Sequence, residues 1–331
     1  MAKIKKKKSV KNIHRKNKSK PLYLTSRLRV QILDPMNEPK ENLCVISWDW
    51  ITLTGTLFAD LNRSTLLELG WHEKKPIDGY VQQFEMMKGK QQIARLVRNE
   101  YHGRNSWRLE TSNHLTDAEK EKLTKTAQLM RDDVHITRLD LAFDFINCKN
   151  SGMTHRIYKP NTTTDERKAQ NGLTQTLQVG KRDSDIQYIY YNKFAKLKED
   201  HFNVPKGIKT WERLELKLRH RKVNEWITQA TKMLKYYKLP SIKDLSKLSS
   251  HDSIMLTAFV YEPALLATVS KGTRAKYRRL MRENEKNCFN TDRQEMALAE
   301  LSGYIPELNK ELLEFDGRLA IPLLSMTLND K

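Results

Sequence analysis

Two segments of this 331-residue chain alternate so strictly that they dictate strands. In residues 136–146 (ITRLDLAFDFI), Leu139, Leu141, Phe143 and Phe145 fall on one face of an extended backbone. Arg138, Asp140, Ala142 and Asp144 fall on the other. Trp211–Arg219 (WERLELKLR) repeats the pattern, with Leu214, Leu216 and Leu218 opposed to Arg213, Glu215, Lys217 and Arg219. Successive strand side chains point to opposite faces, so each segment has one core face and one charged face. A third segment, 177–193 (LQVGKRDSDIQYIYYNK), holds a turn at 180–185 followed by a strand. Its alternation sets Ile186, Tyr188 and Tyr190 against Gln187, Ile189 and Tyr191.

The rest of the chain supplies further strands and helices. Residues 44–54 (CVISWDWITLT) are β-branched and aromatic, which predicts a strand. A helix follows from about residue 60, with Leu61, Leu66, Leu67 and Leu69 on its apolar side, and residues 80–110 read as a hairpin or meander. Thr116 with Glu119 three residues on is a capping-box signature for a helix running to about residue 130. Residues 159–174 are polar and read as loop; a helix is expected from about Val223 to Leu234. From Leu239 onward helical periodicity replaces strand signals, with one basic helix capped by Thr273 and carrying Arg274, Lys276, Arg278, Arg279 and Arg282. The reading is an α+β fold: an antiparallel sheet with helices packed on one face, plus a helical C-terminal region. Three parts are expected: a basic disordered tail (1–20), a main domain (21–238) and the helical region (239–331).

Charge narrows the partner. The net charge is +20, and residues 1–20 hold ten Lys or Arg and no acid, which leaves +10 on the remainder. A basic body with a basic arm points to a polyanion, because cations at phosphates release condensed counterions. No run approaches the roughly 18 apolar residues of a membrane span, and the N-terminus has no apolar core of a signal peptide, so a cytoplasmic protein is expected. Cys44, Cys148 and Cys288 form neither a CxxC pair nor a zinc spacing and read as structural thiols.

The charged faces carry the candidate chemistry. Asp140 and Asp144 are roughly 13 Å apart along a straight strand, too far to grip one ion unaided. Glu215 is flanked by Arg213, Lys217 and Arg219 on one face, a setting suited to a hard divalent cation and phosphates together. Tyr191 stands apart from the apolar face that Tyr188 and Tyr190 share.

Taken together the three segments resemble the Rep_trans family of plasmid rolling-circle replication initiation proteins. The family's R-x-D-x-A-x-D strand is matched by Arg138, Asp140, Ala142 and Asp144. Its G-S-R-x-S turn and I-Y-D-K strand are matched by Gly180, Lys181, Arg182 and Ser184, then Tyr190, Tyr191, Asn192 and Lys193. Its W-x-R-x-E-x-x-x-R strand is matched by Trp211, Arg213, Glu215 and Arg219, and Asp49-Trp50-Ile51-Thr52 fits an early Asp-containing strand. The departures are Lys181, Tyr190 and Asn192, where the family has Ser, Ile and Asp. Tyr190 leaves open which neighbour is the nucleophile, and Arg156-Ile157-Tyr158-Lys159 is a weaker second match that lacks the glycine turn.

The resemblance covers roughly residues 45–225 and implies a sheet like that of the HUH nucleases. It implies that Tyr191 nicks one strand of origin DNA by transesterification, leaving a 5′-phosphotyrosine and a 3′-hydroxyl primer. Mg²⁺ or Mn²⁺ would be held by Asp140, Asp144 and Glu215, with Arg138, Arg182, Lys193 and Arg213 stabilising the phosphate. Lys181, Lys217, Arg219, Arg274, Lys276, Arg278 and Arg279 would contact DNA. A homodimer, a host helicase and a bacterial plasmid or mobile element also follow from the resemblance. Two other readings share the sequence features: a relaxase of a conjugative element with the same chemistry, and a non-catalytic DNA-binding regulator.

Overall fold

The structure is a computed structural model that describes residues 41–56, 63–77, 79–89, 91–101, 104–112, 115–130, 133–170 and 172–315. The basic tail and the start of the helix expected near residue 60 lie outside these residues.

A ten-stranded sheet dominates, in the order β2-β3-β4-β5-β1-β6-β11-β10-β9-β8, with every neighbouring pair antiparallel. Its strands are β1 (Leu43–Gly55), β2 (His72–Lys74), β3 (Gln82–Lys88), β4 (Gln91–Tyr101), β5 (Arg104–Ser112), β6 (His135–Ile146), β8 (Thr164–Lys168), β9 (Thr174–Val179), β10 (Ile186–Asn192) and β11 (Trp211–Arg219). A short helix α1 (Arg63–Glu68) joins β1 to β2, and β3 to β5 form the expected meander. The two strictly alternating segments, β6 and β11, pair directly at the centre, with Leu214 opposite Phe143 and Leu216 opposite Leu141. Matching apolar faces set this register, since a slip of one residue would turn every leucine onto the charged side.

Three helices cover the apolar face: α2 (Asp117–Gln128), α4 (Trp226–Tyr236) and α8 (Asp292–Phe315), whose Leu123, Met233 and Leu308 share one core with Leu141, Phe143 and Leu216. Trp48 packs edge-on against Trp226 at 5.1 Å, and its indole donates to the Leu308 carbonyl at 3.2 Å. The capping box of α2 is present, with Thr116 and Glu119 each accepting from the other's backbone N–H. On the opposite face the short α3 (Lys193–Glu199) covers one end, where Leu197 packs with Val45, Ile146, Ile208 and Trp211.

The helical region expected from Leu239 onward divides in two. β7 (Arg156–Ile157), β12 (Tyr237–Pro240) and β13 (Phe289–Asn290) form a small separate sheet. Beside it α5 (Ser250–Tyr261), α6 (Lys271–Glu283) and α7 (Glu285–Cys288) gather around a second apolar cluster of Leu256, Phe259, Tyr277, Leu280 and Phe289. The last helix, α8, instead returns to the main core. Arg293 anchors it there by donating to Glu212 Oε2 at 2.5 Å, with both side chains buried.

Three details depart from the sequence reading. The polar stretch 159–174 contains strand β8, exposed along its whole length. It lies at the sheet edge with both faces in solvent, so it carries no hydrophobic alternation, and its charges suit an edge that must not recruit another strand. The basic helix α6 starts earlier than expected: Ser270, not Thr273, is the N-cap, and its hydroxyl accepts from the Thr273 N–H at 3.2 Å. The helix expected from Val223 opens as a 3₁₀ turn (His220–Glu225), and α4 proper begins at Trp226. All three cysteines are free and buried. No helix among the described residues is long and apolar enough to cross a membrane.

Candidate active site

The charged faces of β6, β11 and β10 form one continuous surface. Tyr191 stands opposite Arg213, which stands opposite Asp144; Lys217 stands opposite Asp140. At the strand centres this surface is buried, with Asp140, Asp144, Arg213 and Glu215 each under 5% exposed. Buried charges must be matched by partners, and here they are. Arg213 donates two bonds to Asp144, at 2.8 and 2.6 Å, and its third nitrogen meets Asp49. The same nitrogen lies 3.8 Å from Glu215. Lys217 bridges Asp140 and Glu215 at 3.6 and 3.5 Å. Arg138 donates to both oxygens of Asp140, at 2.9 and 2.5 Å.

Tyr191 lies at the edge of this network and donates its hydroxyl proton to Glu215 Oε1 at 2.8 Å. Burial, and then the Glu215 charge, push the phenol well above its usual pKa, so the resting tyrosine is neutral. Burial and the like charge of Asp49 push the Glu215 carboxyl up, against the pull of Arg213 and Lys217. The pair therefore joins a neutral phenol to a carboxylate with raised proton affinity, an arrangement in which general-base activation is chemically available. Tyr190 faces the other way. It is fully buried and donates to Glu212 Oε2 at 2.7 Å, among Tyr237 and His155. Tyr158 is also sequestered, donating to the Val260 carbonyl at 2.5 Å. Of these three tyrosines, only Tyr191 meets the charged face.

Lys193, the first residue of α3, lies under the same surface, 3.6 Å from Asp144 and over the Trp211 ring at 4.7 Å. Burial and the neighbouring Arg213 charge lower its pKa to about 8, with Asp144 pulling it back up. Asn192 caps α3 by accepting from the Ala195 N–H at 2.9 Å. Asn and Asp cap helices about equally well, which accounts for this departure from the family pattern.

The structure does not bring together every residue the sequence nominated. The turn at 180–185 sits at the far end of β10; Ile186 and Tyr191 are about 16 Å apart at about 3.3 Å per residue, so Arg182 and Lys181, both exposed, do not reach Tyr191. Gly180 adopts φ +99°, and a Cβ there would meet the Ile186 carbonyl at 2.9 Å. Arg219 holds the turn by donating to the carbonyls of Arg182 and Ser184, so its guanidinium is a scaffold element. Arg274 is likewise occupied, donating to the carbonyls of Leu266, Ala267 and Val269 at the end of a 3₁₀ turn. Lys276 pairs with Asp252 and Arg279 with Glu283, whereas Arg278 reaches across to Asn161.

The expected metal set also changes. Among the described residues no three His, Cys, Asp or Glu side chains gather as a metal site. Asp144 has both oxygens on Arg213 and a further bond from the Trp211 indole at 2.6 Å, and the charges of Arg213 and Lys193 with these bonds hold its carboxyl down against the effect of burial. Asp140 is occupied on both oxygens by Arg138. Neither fits a metal. Asp49 and Glu215 fit better: they are hard oxygen donors that share one guanidinium nitrogen, and the Asp49 charge raises the proton affinity of Glu215. Asp49 reaches the site because the register between β1 and β6 shifts between Trp48 and Trp50, a bulge that re-aims the intervening side chain. Sequence alternation alone could not place it; a lone acid inside an apolar run was the available signal. Lys196, over the Tyr191 ring at 5.2 Å, was not foreseen either.

No family model matches the chain, and no curated protein matches it. Among solved structures the chain is similar to a rolling circle replication initiator protein from Geobacillus stearothermophilus. That match has 17% sequence identity and a TM-score of 0.42, and covers 62% of this chain and 90% of the other.

Proposed function

We propose that this chain is a DNA-nicking replication initiator in which Tyr191 attacks the DNA backbone. The observation that carries the proposal is the hydrogen bond from Tyr191 to the proton-hungry Glu215 on a face lined with cations. The ordered motifs around Asp140, Tyr191 and Glu215, and the basic charge of the chain, support the choice of DNA.

In this reading Tyr191 Oη forms a bond to phosphorus as the bond from phosphorus to the 3′ oxygen breaks. Glu215 takes the phenolic proton, and the departing 3′ oxygen takes a proton from solvent. The product is a 5′-phosphotyrosine with a free 3′-hydroxyl. The covalent link conserves the phosphodiester, so rejoining needs no ATP. Lys193, Arg213 and Lys217 place positive charge beneath the attacked phosphate, and Lys196 stands beside the phenol, where developing negative charge is stabilised most. Arg138 holds Asp140 and stacks over Trp50 at 5.5 Å, a role in shaping the site rather than in touching the phosphate. A Mg²⁺ or Mn²⁺ held by Asp49 and Glu215 would supply Lewis-acid polarisation of the phosphate, and its charge, in place of Glu215 as base, would favour loss of the phenolic proton.

The deciding experiment is peptide mapping after incubation of the protein with a pool of 3′-labelled single-stranded DNA and Mn²⁺. The proposal expects label on the peptide containing Tyr191. Label on another tyrosine, or no labelled protein, overturns it.

A further inference from the structure

A cavity of about 890 Å³ lies outside this site. One wall is the segment 156–164 leading into β8; the other is α6 and the turn Pro263–Ala267; the end of α4 and β12 close the floor. It falls at the upper end of the roughly 300–1,000 Å³ spanned by ligand pockets. Seven Lys or Arg line it against three Glu. Two of those carboxylates are already matched, Glu285 by Lys238 and Glu166 by Lys168.

Of the remaining cations, Arg156 and Arg274 are already occupied by backbone carbonyls. Among the described residues Lys159, Lys235, Arg278 and Arg282 have no carboxylate partner. Lys159 is half-buried over the Tyr188 ring at 4.4 Å, and burial lowers its pKa with no acid nearby to restore it. Arg278 and Arg282 are four residues apart on α6 and share the face that looks into the cavity. Lys276 and Arg279 of the same helix are paired elsewhere. Tyr236 and Tyr158 add aromatic rings to the lining.

We infer that this cleft is a second binding site, for a single-stranded nucleic acid. Unmatched cations in a concavity call for an anion, and cations interleaved with aromatic rings suit a flexible phosphodiester strand whose bases stack. A duplex is a stiff rod that carries its phosphates on a convex surface, and it cannot enter a cleft of this size. Lys159 lies over Tyr188, on the sheet face opposite Tyr191, so a strand held here is held apart from the nicked phosphate. The inference takes its polymer from the proposed function, while the charge and shape of the cleft stand without it.

The test is binding of the full-length protein to a fluorescent oligo(dT) of about 12 nucleotides, within the range a small single-strand site covers. It is run across a salt series without divalent cation. Lys159→Ala with Arg278→Ala and Arg282→Ala is expected to weaken binding on the order of tenfold and to reduce the salt slope by about 2. A control that removes equal charge outside the cleft, Lys122→Ala with Lys232→Ala and Lys286→Ala, is expected to change it by less than about twofold. If the cleft triple unfolds in urea earlier than wild type, the single exposed Arg282→Glu is expected to weaken binding on the order of tenfold and to reduce the salt slope by about 1. Equal losses in cleft and control variants, or no loss in either, overturn the inference. So does saturation by dTMP at the same affinity as the oligonucleotide, since that marks a mononucleotide pocket. Adduct formation by wild type is scored separately. Cleft-dependent binding without an adduct rejects the nicking reading and keeps the cleft; an adduct without cleft dependence does the reverse.

Discussion

Tyr191 and Glu215 sit on adjacent antiparallel strands, two positions out of register, and meet through a 2.8 Å hydrogen bond from phenol to carboxylate. Tyr191→Phe removes the attacking oxygen and leaves the sheet intact, so covalent DNA–protein adduct is expected to fall below detection on a denaturing gel. Tyr190→Phe keeps the adduct and costs about 1–2 kcal/mol in urea unfolding, because a buried bond to Glu212 is lost. Adduct retained by Tyr191→Phe removes Tyr191 from the chemistry.

Asp49 and Asp144 both contact Arg213 but differ in burial, at 25% and 0% side-chain exposure. Asp49→Asn is therefore expected to raise the Mn²⁺ concentration needed for half-maximal adduct, with a small change in stability. Asp144→Ala leaves Arg213 buried with its main partner gone and costs about 3–5 kcal/mol. A metal titration paired with urea unfolding separates the two; a metal shift in the Asp144 variant without destabilisation would reverse the assignment.

Lys193 gives a pH signature. Its pKa in the folded protein is lowered to about 8, so its charge is present below that pH and lost above it. The adduct rate is expected to decline on the alkaline side through about pH 8, and Lys193→Arg, which stays charged, to move that decline upward. Linkage gives the opposite sign for stability. Between about 8 and about 10.5 the unfolded chain binds more protons than the folded one, so this group's contribution improves as pH rises. A rate that is flat from pH 7 to 9 would exclude Lys193 from the site's electrostatics.

Arg293 ties the last helix to the sheet. Its Glu212 partner also accepts from the backbone N–H groups of Gly152 and Met153, at 2.6 and 2.7 Å. Arg293→Met leaves that carboxylate short of its cation in the core, and a loss of about 3–5 kcal/mol is expected in urea unfolding. A loss under about 1 kcal/mol would show that α8 is held by apolar packing alone.

Much of the fold was legible because period and burial coincide. The alternation in β6 and β11, the capping box at Thr116 and the faces of Tyr190 and Tyr191 are local properties, set by chain geometry and by which side chains avoid water. The candidate site was legible only in part. Arg182 is near Tyr191 in sequence, but an extended strand carries it away, whereas Asp49 is 142 positions distant and arrives through a bulge. The carbonyl partners of Arg219 and Arg274 were not legible for a related reason: a basic side chain in sequence does not reveal which backbone groups at a turn or helix end it meets.

The amino-acid sequence by itself determined a sheet with one apolar and one charged face, and put Tyr191 on the charged one. Side-chain alternation along a strand requires no knowledge of its neighbours. Tertiary structure alone decided which carboxylate receives the Tyr191 proton, which carboxylates arginines silence, and that α8 returns to the main core. These depend on strand order, on one register shift and on the pairing of buried charges, where a partner's identity is set by distances of a few ångströms between residues far apart in the chain.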